Sequence, residues 1–210
     1  MARWQDDKIR FALRQWLPGV IGAAMAKPVL AHGLLPGKGL ASGLLHPIGG
    51  WDHLLAMVAV GIMSTKLGGR ALWRLPLFFV ASMAAGYLAG LWGVALPLTE
   101  WGVMLSVVVL GLQVALAEHV NQKWTVGNGL IVMLFGLCHG YAHGVEWPQQ
   151  TSALWFASGF LLATIGLHVI GVILGLLWQQ GSQPNRLFML AGSGIAASGV
   201  VLVALYSLQV

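Results

Sequence analysis

One short segment, HPIGGWDH at residues 46–53, combines two histidines with an acid, a proline and two glycines at the start of a long apolar stretch. A spacing of four, three and four residues places one set of side chains on a single helical face: His46, Gly50, His53 and Met57. Asp52 lies about 100° around the helix from His53. We expect its carboxylate either to bind a metal from an adjoining face or to orient a ligand from a neighbouring helix. Pro47 and the glycines weaken a regular helix, so the segment is either a helix start or an irregular stretch.

A second segment, HGYAHGVE at residues 139–146, also has the spacing of ligands on one helical face. His139 and His143 are four residues apart and Glu146 is three further on, so the three side chains point the same way. Glycines at four-residue spacing form a ridge along the same stretch: Gly136, Gly140 and Gly144. Because small residues let a neighbouring helix approach closely, this helix should pack tightly against another one.

The chemistry that these two segments suggest is metal binding. Imidazole is a good ligand for nickel, zinc, copper and iron, and carboxylates offset the charge of the cation or fix the tautomer of a ligating imidazole. The alternative is that the polar groups only hydrogen-bond helices together, which is the better explanation for a single histidine. Six ionisable groups in two clusters favour a functional site, because such groups are expensive in a membrane. For Met57, packing is the stronger interpretation.

The elements that must position these groups are membrane-spanning helices. The 210 residues are 58% hydrophobic and 8% charged, with a mean hydropathy of +0.80, whereas a soluble domain is about 25% charged. We therefore predict an all-α membrane protein with six transmembrane helices, each with about the 20 apolar residues needed to cross a bilayer: 42–64, 72–94, 98–118, 127–147, 152–178 and 188–208. The basic residues form no patch for nucleic acid, and the single Cys138 excludes an internal disulfide.

The N-terminus resembles a secretory signal, and residues 1–31 are predicted to be a signal peptide. A positively charged start is followed by a short apolar run, and Val29 and Ala31 fit the small-residue cleavage pattern. The alternative is an uncleaved helical anchor. Cleavage would leave residues 32–210 as a single six-helix domain with His32 at its N-terminus, where His32 either captures a metal ion or is part of a loose chain end.

The charges between the predicted spans indicate the orientation. Lysine and arginine occur in the first, third and fifth connections: Lys66, Arg70, Arg74, Lys123 and Arg186. By the positive-inside rule these connections are cytoplasmic, so the mature N-terminus and the C-terminus lie outside. A cleaved signal predicts the same orientation.

This orientation predicts which polar groups share a depth. His53 lies seven residues below His46 and His139 lies seven residues below Glu146, or about 10 Å in each helix. His46 should therefore match His143 and Glu146 in depth, and His53 should match His139. The two segments would face each other across one site in the outer half of the membrane.

A few ionisable groups lie away from these two segments. His168 lies deeper, toward the inside, and is a candidate for a secondary path together with Met57. Glu118 and His119 are expected at a solvated helix end, and Glu100 in a solvated outer loop.

At the residues of the two segments the sequence resembles the HupE/UreJ family of nickel and cobalt permeases. HPIGGWDHLLAM at 46–57 follows the His-Pro-x-x-Gly-x-Asp-His pattern of that family, supported by HGYAHGVEWP at 139–148 and by the histidine after the signal. The resemblance implies metal-ion uptake across the bacterial inner membrane. It places one set of residues in the metal path: His46, Asp52, His53, His139, His143 and Glu146.

The function predicted from the sequence is therefore a multi-pass permease for nickel or cobalt, not an enzyme. Its partners would be the ion and the lipid bilayer, with no permanently bound cofactor; a homo-oligomer is left open. No Walker motif is present, so the chain has no ATPase of its own. The alternatives are a membrane metal sensor or assembly protein, a haem-binding electron carrier, or an intramembrane metalloenzyme, which the lack of a His-Glu-x-x-His pair disfavours.

Overall fold

The computed structural model describes residues 39–116, 126–149 and 151–208, and every regular element within them is an α-helix. The helices are α1 (Gly39–Gly49), α2 (Trp51–Leu67), α3 (Ala71–Leu91), α4 (Thr99–Leu116), α5 (Val126–Val145), α6 (Ala153–Gln179) and α7 (Pro184–Ser207). The all-α prediction is thus confirmed for this part of the chain. The predicted signal peptide, His32, Glu118 and His119 lie outside the described residues.

The first predicted span, 42–64, is not a single straight helix. α1 and α2 are bent by 82° at Gly50, whose φ of −103° and ψ of 118° are extended rather than helical. Pro47 in the last turn of α1 has no N–H to donate, and the glycines that follow add little helical stability. The prediction of a weakened helix here is confirmed. The prediction of one continuous face from His46 to Met57 is wrong, because the bend separates the two residues onto different helices.

Helix α2 forms the core of the described residues. Every residue from 59 to 67 is buried, and α2 packs against α6, α4 and α3. A helix with apolar residues all round is expected to be enclosed by others in this way. The end of α2 that carries Asp52 and His53 is therefore held in a fixed place among its neighbours.

The glycine ridge of α5 packs directly on α3, as predicted. A Cβ atom at Gly140 would overlap the carbonyl oxygen of Met83, and one at Gly144 would overlap that of Tyr87. Gly86 of α3 has the reciprocal relation to the carbonyl oxygen of Leu137 in α5. The two backbones are therefore in contact, and this contact fixes the depth and rotation of the α5 histidines.

We expect Gly140→Ala to destabilise the protein by at least about 1–3 kcal/mol, because backbone atoms of α3 must move to admit the methyl group. Thermal unfolding of the purified protein in detergent, followed by circular dichroism, measures the effect. Gly166→Ala in α6 is the matched control, since a Cβ there meets no atom within 4 Å. Equal melting temperatures for the two variants would contradict the close packing of α3 on α5.

The outer surface of the bundle is apolar. On α6, for example, large aliphatic side chains such as Leu162, Ile165, Val169 and Ile173 are exposed, which is the surface of a protein in contact with lipid. By length and apolarity, α3, α4, α6 and α7 can each cross a membrane, and the bent pair α1–α2 is a fifth candidate if it counts as one span. α5 is not among the described helices that meet this criterion; its glycines and histidines make it less apolar. Six spans stay a prediction.

Candidate metal site

The bend at Gly50 brings two histidines of the first segment against two histidines of α5. The ring centroids of His46 and His143 are 4.6 Å apart, those of His53 and His139 are 4.6 Å apart, and those of His53 and His143 are 4.5 Å apart. His46 and His53 are 6.3 Å apart. We refer to these four residues as the four-histidine cluster. The pairs His46–His143 and His53–His139 are those expected from the depth estimate, whereas the pair His53–His143 was not expected. The bend, and not a continuous helix, brings His46 to His53.

The cluster has the dimensions of a metal site. Imidazole nitrogens bind a zinc-like ion at about 2.0–2.1 Å, which puts the centroids of two ligating rings roughly 5 Å apart, close to the distances observed here. As the rings stand, however, no three His, Cys, Asp or Glu side chains among the described residues are arranged to hold one ion. Ion binding therefore requires the rings to rotate so that their nitrogens converge.

Asp52 fixes the tautomer of His53. Nδ1 of His53 donates to Oδ1 of Asp52 at 2.7 Å, and the same oxygen accepts the backbone N–H of His53, also at 2.7 Å. In the neutral imidazole the proton is then on Nδ1, which leaves the lone pair of Nε2 for a ligand. Nε2 is buried and has no hydrogen-bond partner in the described part of the chain. Asp52 thus takes the orienting role, one of the two that its helical position allows.

Ser106 of α4 orients His139 in a similar way. Its Oγ lies 2.9 Å from Nε2 of His139 and also donates to the carbonyl oxygen of Val103. Because a hydroxyl has one hydrogen, it accepts from Nε2–H, and the lone pair of His139 is on Nδ1. That atom is buried without a partner among the described residues. Two rings of the cluster therefore each present one bare nitrogen.

His143 is the least satisfied member of the cluster. It is fully buried, and neither ring nitrogen has a hydrogen-bond partner within the described residues. Its ring stacks on Phe160 of α6 at 4.8 Å, with an angle of 21° between the planes. A buried polar group without a partner costs free energy, about 1–3 kcal/mol in proteins. Ring nitrogens that are buried without a partner destabilise the protein, so their presence here favours a binding site for a cation.

Carboxylates surround the exposed side of the cluster. Oε2 of Glu146 lies 3.8 Å from Nε2 of His46, and the Glu146 side chain is 59% exposed. Asp52 is 28% exposed. Glu100, in the first turn of α4, is exposed and lies within electrostatic range of Asp52, His53 and Glu146. These three acids provide the negative charge that attracts a cation toward the buried rings.

The two residues predicted for a secondary path lie elsewhere. Met57 is completely buried in the hydrophobic core of α2, in agreement with a packing role. His168 of α6 is buried, and its ring contacts Phe79, which also contacts His139. The structure therefore does not include either residue in the four-histidine cluster.

Sequence reasoning missed the part that α4 plays in the site. Ser106 is one of many small polar residues in apolar helices, so its type and spacing carried no signal. Glu100 was expected to be solvated, and it is exposed, but it also belongs to the acidic surround of the cluster. A contact between helices that are distant in sequence cannot be deduced from the periodicity of either one.

Comparison with known proteins identifies relatives of the chain. The family model described as HupE / UreJ protein matches residues 20–202. Protein HupE from Rhizobium leguminosarum bv. viciae is 40% identical over 183 residues, which cover 86% of this chain and 94% of the relative. No solved structure matches the chain. The matched region contains both histidine segments and all the described helices except the last five residues of α7.

Proposed function

This chain belongs to the HupE/UreJ family, whose members are permeases and not enzymes, and we propose that it carries nickel, or alternatively cobalt, into the cytoplasm. The observation that carries the proposal is the four-histidine cluster, in which His53, His139 and His143 have ring nitrogens without a partner among the described residues, together with the three nearby carboxylates. Nickel and cobalt both accept imidazole ligands. The ion is the substrate, and no resident cofactor is needed.

The proposed path starts on the acidic side of the cluster. The orientation from the positive-inside rule makes this the periplasmic side of the bacterial inner membrane, with the signal segment removed. The ion exchanges part of its water shell first for the carboxylates of Asp52 and Glu146 and then for the imidazoles. Such a site must bind tightly enough to admit the ion and weakly enough to release it.

The membrane potential is a sufficient driving force. An inside-negative potential favours cation entry by about 2.3 kcal/mol per charge per 100 mV, which doubles for a divalent ion. A nucleotide-binding motif is missing from the sequence, so we propose facilitated uptake. Proton coupling is compatible with the site, since histidines bind metal in their neutral form.

The proposal is tested by nickel uptake into proteoliposomes with an imposed inside-negative potential. We expect uptake that depends on the potential and is inhibited competitively by cobalt. Zinc is included as a competitor because it uses the same ligands. Binding of nickel by the purified protein without any uptake would overturn the permease proposal and favour a sensor or assembly protein.

Removal of the Ser106 hydroxyl should weaken metal binding in a protein that stays folded. We expect Ser106→Ala to lower nickel affinity by about 10–100-fold, the usual effect of losing a group that orients a ligating histidine. Titration calorimetry of the purified protein measures this. Ser64→Ala is the matched control, because Ser64 is equally buried but its hydroxyl bonds only to Gly61 of its own helix. Equal nickel affinities for the two variants would contradict the orienting role.

A further inference from the structure

The aromatic ring of Phe79 contacts both the four-histidine cluster and His168. Phe79 is completely buried in α3. Its ring centroid is 5.6 Å from that of His139 and 5.2 Å from that of His168. A single apolar ring thus contacts two buried imidazoles on two different helices.

His168 has the properties of a second binding station. It is 2% exposed, and neither of its ring nitrogens has a hydrogen-bond partner among the described residues. It also borders an open groove of about 300 Å³ between α3 and α6, which extends to Leu72 and Trp73 at the start of α3. Ile165 and Val169 of the lipid-facing surface line the same groove. On the proposed orientation the start of α3 is its cytoplasmic end, so the groove runs from His168 along the outer surface toward the cytoplasmic side.

The backbone that carries Phe79 packs closely against α5. A Cβ atom at Gly136 would meet the carbonyl oxygen of Phe79, so α5 lies directly against this turn of α3. The hydroxyl of Ser82 adds a bond to the same carbonyl group at 3.0 Å. Pro76, three residues earlier, interrupts the helical hydrogen bonds and makes α3 easier to bend next to the ring.

We propose that Phe79 is the gate of the ion path, a hydrophobic constriction that keeps the outer four-histidine cluster and the inner His168 from exchanging ions or protons until its ring swings aside. This inference rests on the proposed function and adds the step at which passage is controlled. Apolar constrictions block ions because they exclude water. Imidazoles on both sides can relay protons, so without the ring a water-filled connection would leak protons.

The test measures a proton leak that does not depend on nickel transport. Proteoliposomes containing the pH dye pyranine receive an inside-negative potential in the absence of nickel. We expect the acidification rate to rise on the order of tenfold in Phe79→Ala, and to rise less in Phe79→Leu, which keeps more of the bulk. If Phe79→Ala does not fold, the leak is measured in Phe79→Leu, where we expect it to exceed the wild-type rate.

Leu75→Ala is the matched control, since Leu75 is completely buried one turn away on the same helix. An equal leak in this variant would mean that general loosening of the core explains the result, and it would overturn the gate. A leak at the wild-type rate in folded Phe79 variants would also overturn it. If the wild-type protein takes up no nickel and the leak is still specific to the Phe79 variants, the proposed cargo is wrong and the gate is supported.

Discussion

Replacement of His53 by alanine is expected to abolish nickel uptake while the protein stays folded. His53 is the member of the four-histidine cluster whose ring lies near all three others, so its loss removes a ligand from the centre of the site. Loss of an orienting group alone lowers affinity by about 10–100-fold, and loss of the ligand itself should exceed that range. Initial rates of uptake into proteoliposomes measure the effect, with thermal unfolding to show that the variant is folded.

Asp52→Asn provides the graded comparison for this experiment. The amide oxygen of asparagine still accepts the Nδ1–H of His53, so the ring stays oriented while the negative charge is lost. We expect nickel uptake to fall, but by less than in His53→Ala. Unchanged uptake in a folded His53→Ala variant would show that the ion does not pass through the cluster.

Replacement of His143 by leucine is expected to maintain or raise the stability of the protein while it lowers the affinity for nickel. Leucine is apolar and close to histidine in size, and it removes two buried nitrogens without partners among the described residues. The free energy of unfolding should not fall, and we expect a gain of up to about 1–3 kcal/mol. Nickel affinity should fall by more than about 100-fold because a ligand is gone. Thermal unfolding and calorimetric titration on the same preparation give the two quantities.

Phe188→Leu is the matched control for the His143 variant. Phe188 is completely buried but contacts Lys66 and Trp178 and no described histidine. Its replacement should lower stability by on the order of 1 kcal/mol through lost packing and leave nickel affinity unchanged. A His143→Leu variant that is destabilised and still binds nickel would identify His143 as a packing residue.

The sequence predicted the parts of the site that depend on spacing within one segment. His139 and His143 on one face of α5, the glycine ridge behind them and the weakened helix at Pro47 all follow from local rules of helix geometry. Their consequence, the pairing of the two segments, needed only the added assumption that both segments lie at the same side of a membrane. These features could be predicted because each depends on residues within about two helical turns.

The features that the sequence could not provide depend on how helices pack and bend. Glycine and proline indicated weakness near Gly50 but not a bend of 82°, and the bend is what places His46 only 6.3 Å from His53. Ser106 and Phe79 belong to α4 and α3, and the sequence around each residue does not indicate a role in the site. Their roles follow from contacts with His139, which only the three-dimensional packing specifies.

The most direct test of the central claim, that the four-histidine cluster holds the transported ion, is nickel X-ray absorption spectroscopy of the loaded protein and of its His53→Ala variant. We predict nitrogen ligation with the multiple-scattering pattern of several imidazole rings in the wild type, and loss of that pattern in the variant. A spectrum of oxygen ligands without imidazole scattering, identical in both proteins, would contradict the account.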